Sequence, residues 1–250
     1  MLTERRGSTL LITLNRPDAR NAVNAALAQG LAAALGELDS DAELRIGVLT
    51  GAGRGFCAGM DLKAWAQGES AWVEGRGFAG IVQKPPRKPL IAAIEGFAVA
   101  GGMEVALACD LIVAARRAKL GIPEVKRGLV AAGGALLRLP ARIPSGVAME
   151  LALTGDPISA ERAAELGLVN RLAEPRSAVQ TALELAEAIT ANAPLALEAT
   201  KQILVESHGW PADETWERQW AISGPVFTSE DAQEGAAAYA ERRNPTWKGR

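Results

Sequence analysis

Short apolar runs alternate with stretches of three-to-four-residue hydrophobic spacing through the first half of the chain. Leu10-Leu11-Ile12-Thr13-Leu14 reads as a strand that stops at Asn15-Arg16-Pro17. Asn24 caps a predicted helix running to about Leu38, with Leu27, Leu31, Leu35 and Leu38 on one face. Ile46 to Thr50 is a second strand, ending in the glycine-rich loop Gly51-Ala52-Gly53-Arg54-Gly55. Pro89 to Glu95 is a third, buried strand. Gly101-Gly102 opens a helix reaching about Cys109, and Leu111 to Ala115 is a fourth strand. This alternation predicts an α/β layered core with crossover connections.

Beyond about residue 135 the strand pattern fades. Helical spacing covers 145–153, 160–166, 177–191, 195–206, 211–219 and 230–242, and 169–172 is a last short strand. Ser177 with Gln180 fits a capping box. Residues 65–88 keep neither period; their Gly, Trp and Pro-Pro content predicts a mobile loop or lid.

Composition narrows the classes. The 250 residues are 48% hydrophobic and 22% charged, with a net charge of −2, as expected of a globular chain with a sizeable core. That balance gives no electrostatic footprint for nucleic acid. No apolar stretch is long enough to span a bilayer, and residues 1–9 do not read as a signal peptide; a cytoplasmic protein is expected. Two Cys and no CxxC argue against a disulfide framework or zinc site, and the single His208 argues against triad chemistry. Any catalysis should run on carboxylates, backbone amides or a bound cofactor.

Three segments could carry chemistry. Phe56-Cys57-Ala58-Gly59-Met60-Asp61 follows a strand and a glycine-rich loop, where a tight turn opening a helix would free backbone N–H groups. It also reads as a plain βα turn with Asp61 as a helix cap. Ala100-Gly101-Gly102-Met103-Glu104 places a carboxylate at a helix start within an apolar run. Such a group must be hydrogen-bonded, protonated or facing a cavity, whether structural or catalytic. Gly121-Ile122-Pro123-Glu124 holds a second Glu in a loop at a strand end; it suits a cleft, or a solvated partner for Lys126 or Arg127.

Taken together, these segments resemble the crotonase (enoyl-CoA hydratase/isomerase) superfamily over nearly the whole chain. The resemblance lies in NRPDARNAVN (15–24), LTGAGRGFCAGMDLK (49–63), KPLIAAIEGFAVAGGMEVALACDLIVA (88–114), LGIPEVKRGLVAAGG (120–134), LTGDPISAERAAELGLVNRL (153–172) and the tail SEDAQEGAAAYAERR (229–243). It implies a spiral of ββα units over residues 1–190, and a C-terminal helical trimerisation region over 191–250 that builds a trimer or dimer of trimers. It also implies an acyl-CoA substrate from fatty-acid metabolism and no cofactor beyond the CoA of that substrate.

By position in the motifs, the resemblance places the oxyanion hole on the backbone N–H groups of Ala58 and Gly101. Paired amide donors stabilise an enolate; one such donor is worth about 2.7–4 kcal/mol. The two acidic positions of family hydratases fall on Glu104, to activate water, and Glu124, to exchange the proton at C2. CoA contacts fall on Arg20, Ala58, Gly59, Met60, Asp61 and Gly101, with Tyr239 and Arg242 reaching a neighbouring subunit. Arg20 equally suits a solvated helix start, and Tyr239 and Arg242 a plain helix surface. Cys57 reads as small buried packing and His208 as a helix end.

The resemblance thus implies syn hydration of a trans-2-enoyl-CoA. Its rivals are another crotonase reaction (isomerisation, hydroxyacyl-CoA dehydration or thioester hydrolysis) and a non-catalytic acyl-CoA binder. A serine hydrolase lacks its G-x-S-x-G elbow here. Ala100 where relatives carry a third glycine, Met60 before the Asp, and the unusual 65–88 segment bear on the identity of the acyl chain.

Overall fold

The computed structural model describes residues 1–250. The first strand, β1 (Leu2–Arg6), pairs antiparallel with β2 (Thr9–Leu14). Helix α1 (Ala25–Ser40) follows, with the Asn24 side chain accepting from the Leu27 N–H. Next come β3 (Ile46–Gly51), the short α2 (Leu62–Ala66), and a hairpin of β4 (Trp72–Val73) and β5 (Gly77–Phe78). Two β-β-helix passages come after. In the first, β6 (Leu90–Ile94) and β7 (Phe97–Val99) lead into α3 (Gly101–Leu107). In the second, β8 (Leu111–Ala115) and β9 (Lys119–Gly121) lead through a 3-10 turn, Pro123–Arg127, to α4 (Ala135–Arg142).

The remaining elements are α5 (Ser145–Thr154), β10 (Ile158–Ser159), α6 (Ala160–Glu165), β11 (Arg171–Ala173), α7 (Ala178–Thr190), α8 (Pro194–Glu206), α9 (Thr215–Phe227) and α10 (Glu230–Glu241). No helix is long and apolar enough to cross a membrane.

One sheet runs β1-β2-β3-β6-β8-β11 and is parallel apart from β1; a second runs β10-β9-β7. Each ββα passage therefore puts its first strand in the large sheet and its second in the small one, which generates the spiral. Side chains alternate across the large sheet. Ile12, Leu49, Ala92 and Ile112 point into the main core with Leu31 and Leu35 of α1. Val48, Ile91, Ala93 and Val113 meet Ala178, Ala182 and Ala186, a small-residue stripe that seats α7 on the opposite face. With both faces covered, the inner strands read as continuous apolar runs.

Several expectations are corrected. Residues 65–88 form no lid: Ala71, Phe78, Ala79, Ile81 and Val82 are buried in the main core, and the Trp72 ring meets Phe78 edge-on at 5.1 Å. The Ser177–Gln180 capping box does not form. Gln180 instead donates to Glu184, and the Glu95 carboxylate accepts from the Ala178 N–H at the α7 start, 3.0 Å away. The helix expected over 211–219 starts at Thr215 and runs on to Phe227. Strands β1, β7 and β9 and helix α4 are additions.

Past α7 the chain turns away from the large sheet. Lys201 of α8 still anchors it, donating to Asp110 at 2.6 Å and to the Lys88 carbonyl at 2.9 Å.

Candidate active site

Two loops meet at glycines. Gly59 has φ +96°, and a Cβ added there would fall 2.9 Å from the Gly101 nitrogen. A Cβ on Gly102 would fall 2.2 Å from the Cys57 carbonyl oxygen. Only glycine allows this backbone-on-backbone approach. Asn21 locks the turn beneath it: fully buried in the left-handed region, its side chain donates to Ala52 and Gly55 carbonyls at 2.9 Å and accepts from the Arg16 N–H.

The free amides follow from strand alternation. The Val23 N–H donates to Gly59 O at 2.7 Å and the Asp61 N–H donates to Val23 O at 2.9 Å. Residue 60 between them faces the other way, and the Met60 N–H donates to no protein group. Gly101 opens α3, so its N–H has no intrahelical acceptor. The Ala58 N–H is committed, donating to the Arg20 carbonyl at 3.1 Å. This contradicts the expected Ala58 donor and moves the uncommitted amide two residues along, to Met60.

Glu104, in the first turn of α3, is buried and accepts from the Ala135 N–H at 3.2 Å. Burial pushes its carboxyl above the usual range, opposed by the backbone of Ala135 and Gly133 and by the Arg138 charge. Glu124 sits in the 3-10 turn that Pro123 starts. It is half-buried and not paired to Lys126, which binds Asp156. Its Oε2 is buried without a partner. Burial pushes the Glu124 carboxyl up to about 7, with the charge of nearby Glu104 adding to the effect. The two carboxyls are thus near enough for the charge of Glu104 to act on Glu124.

The other candidates separate. Asp61 caps α2 by accepting from Lys63 and Ala64 amides, and Arg16 donates to it at 2.9 Å. Burial pushes Asp61 up, but those partners outweigh it and leave its carboxyl below the usual range. Arg20 is exposed, in the left-handed region. Tyr239, 88% exposed, and Arg242, the α10 C-cap, lie on the helical tail, where α10 packs on α9. Cys57 is packing: burial pushes its thiol up to about 12. His208 lies in the 3-10 turn after α8.

Sequence reasoning did not find Asn21, Phe78 or Arg138. Asn is among the few side chains that tolerate the left-handed region, the one sequence signal that Asn21 offers. The Phe78 ring lies on Gly101, and a Cβ there would meet Phe78 Cε1 at 2.5 Å. Nearby, a cleft of about 250 Å³ is lined by Met60, Trp65, Glu69, Ala71 and Trp72 among others.

Comparison with known proteins gives the family. The family described as enoyl-CoA hydratase/isomerase matches residues 4–250, and the chain belongs to that family. It is 43% identical over 256 residues to the enoyl-CoA hydratase EchA19 of Mycobacterium tuberculosis, covering 100% of this chain and 96% of that one. It is 41% identical to the carnitinyl-CoA dehydratase of Salmonella typhimurium, over 98% and 97% of the two chains. The crystal structure of an enoyl-CoA hydratase from Mycobacterium tuberculosis superposes with a TM-score of 0.98 at 63% identity, covering 100% of this chain and 98% of that one.

Proposed function

We propose that the chain catalyses reversible syn addition of water to a trans-2-enoyl-CoA thioester. The carrying observation is the Glu104–Glu124 pair, one member with a buried oxygen lacking any partner, beside two loops that each leave an amide uncommitted. In this reading the thioester oxygen accepts from the Met60 and Gly101 N–H groups. Ionised Glu104 takes a proton from water as its oxygen bonds to C3. The C2=C3 π electrons move onto the thioester as an enolate, and protonated Glu124 then delivers its proton to C2. Proton exchange within the pair and with solvent resets the site.

The reaction is redox-neutral, so we assign it no cofactor beyond the substrate's CoA. Dehydration, the activity in the name of the Salmonella relative, is the same chemistry reversed. Arg20, Gly59 and Asp61 are proposed to border the CoA, and the apolar cleft at Met60 to take an acyl chain of the fatty-acid type. Two buried free thiols, Cys57 and Cys109, suit a reducing cytoplasm. Exposed Leu204, Val205, Trp216, Trp220 and Phe227 on α8 and α9 support assembly as a trimer or dimer of trimers, in which Tyr239 and Arg242 would reach a neighbour's CoA. Nothing in the net charge of −2 suits nucleic acid, and no membrane contact is proposed.

The test is hydration of crotonyl-CoA and longer 2-enoyl-CoAs by purified protein, followed as loss of conjugated-thioester absorbance. Turnover is expected. Tight acyl-CoA binding with no turnover on any member of the panel overturns the proposal in favour of a binding protein.

A further inference from the structure

Arg138 of α4 is half-buried and unused by the mechanism above. Its Nη2 donates to the Val82 carbonyl at 2.6 Å, and its Nη1 reaches the Gly133 carbonyl at 3.5 Å. The guanidinium lies against the turn before α4: a Cβ on Gly134 would fall 2.3 Å from Arg138 Nη1. The same turn presses on the catalytic carboxylate from its other side, where a Cβ on Gly133 would fall 2.4 Å from Glu104 Oε2. The next residue, Ala135, supplies the N–H that Glu104 accepts. One cation therefore braces the segment that follows the β4–β5 hairpin and the turn that seats Glu104.

Within the hydratase reading, we propose that Arg138 is a positioning residue that keeps Glu104 charged against the Gly133–Ala135 turn, so that the proton of the pair resides on Glu124. The charged group acting on Glu104 is Arg138 from α4, and Glu104 in turn acts on Glu124 in the 3-10 turn. Arg142, one turn further along α4, donates to the Cys109 carbonyl at 2.9 Å and acts on Arg138 rather than on Glu104. The Arg138 charge favours ionised Glu104, counteracting the burial that favours the acid.

The test compares Arg138→Gln, which removes the charge, with Arg138→Lys, which keeps it but loses the planar fork. The first readout is Tm against pH and needs no activity. A carboxyl whose folded pKa is raised contributes stability at low pH and loses it as pH rises through that value. Removing Arg138 raises Glu104 further. The Tm gap between parent and Arg138→Gln is therefore expected to widen as pH rises above the ordinary carboxylate range, while the Arg138→Lys gap stays constant. The second readout is hydration: kcat is expected to fall about tenfold in Arg138→Gln with KM within about twofold, and its acid limb to move to higher pH. If Arg138→Gln does not fold, Arg138→Met replaces it, removing the charge while keeping an unbranched stem that does not titrate. A Tm gap independent of pH in the charge-removing variant overturns the proposal and leaves a purely structural brace. A parent that hydrates no enoyl-CoA sinks the proposed function alone, because the Tm series still decides the role of Arg138.

Discussion

The Phe78 ring rests directly on Gly101, so the hairpin at 72–78 and the start of α3 are a single packed unit. An added methyl at position 101 would meet Phe78 Cε1 at 2.5 Å and Cζ at 2.6 Å. Both atoms belong to a fully buried ring that cannot swing into solvent. Gly101→Ala should therefore push the helix start away from Met60 and misalign the two amides. Loss of one oxyanion donor costs about 10²–10³ in kcat, so a fall of at least about 10² is expected, with overpacking costing about 1–3 kcal/mol of stability. Steady-state hydration and urea denaturation measure the two effects; a Gly101→Ala enzyme with parental kcat would remove Gly101 from the proposed mechanism.

Glu104→Gln and Glu124→Gln keep the volume of each side chain and remove its proton transfer. General acid–base groups contribute about 10²–10⁴-fold each, so each variant should lose at least that much kcat. The double variant should fall little further if the two groups act as a unit, as proposed. Additive losses would argue for independent roles.

The raised carboxyl of Glu124 predicts a pH dependence of rate. With its carboxyl near 7, the acid form proposed to donate to C2 disappears as pH rises through that value. Hydration kcat/KM for a 2-enoyl-CoA should decline above about pH 7. Measured from pH 5 to 9, a flat profile across that window would exclude Glu124 as the donor in the free enzyme.

The same group sets a pH dependence of stability. Its folded pKa is about 7 against an ordinary value of 4.5, so the folded state holds the proton more tightly. Stability from this group is present below about pH 4.5 and is lost as pH rises to about 7. Glu124→Gln escapes that loss. The variant should match the parent near pH 4.5 and exceed it at pH 8 by on the order of 2 kcal/mol, read by urea denaturation at the two pH values. Equal stability of variant and parent at pH 8 would show that Glu124 is not held protonated by its surroundings.

Ala100 is the residue where relatives were expected to carry a third glycine. It sits at φ 52° and ψ −133°, backbone geometry that glycine adopts freely and alanine does not. Such strain costs about 1–3 kcal/mol, partly offset by the greater freedom of glycine when unfolded. Ala100→Gly is therefore expected to stabilise the protein by about 1 kcal/mol while keeping activity within about twofold. A destabilised variant would mean that the Ala100 methyl makes packing contacts worth more than the strain.

Legibility in the sequence followed burial. Strands β2, β3, β6 and β8 were readable because both faces of each are covered, leaving uninterrupted apolar runs. Strand β1 was not: all five residues of LTERR are exposed at the sheet edge, and only pairing with β2 makes them a strand. Helix α4 was obscured by the Gly133-Gly134 pair before it and Pro140 within it. Residues 65–88 looked mobile because β4 and β5 are two residues each, too short to show a period. Glu104 stood out as a carboxylate in an apolar run. The choice between the Ala58 and Met60 amides could not stand out, because it depends on which side of the loop Val23 pairs with, a contact between distant parts of the chain.

Trp216 and Trp220 are 78% and 65% exposed, and Trp220 stacks on the exposed Phe227 at 5.8 Å. Indoles so placed on one helix leave an apolar surface that a lone chain in water would not favour. Trp216→Asp with Trp220→Asp should convert a trimer or hexamer into monomers, read as subunit mass by light scattering. Neither side chain is buried, so the fold and far-ultraviolet circular dichroism should be kept. If Tyr239 and Arg242 complete a neighbour's CoA site, the monomer should also show a raised KM for acyl-CoA, by about tenfold (about 1.4 kcal/mol). A monomeric parent, or a double variant that keeps its assembled mass, would rule out this face as the interface.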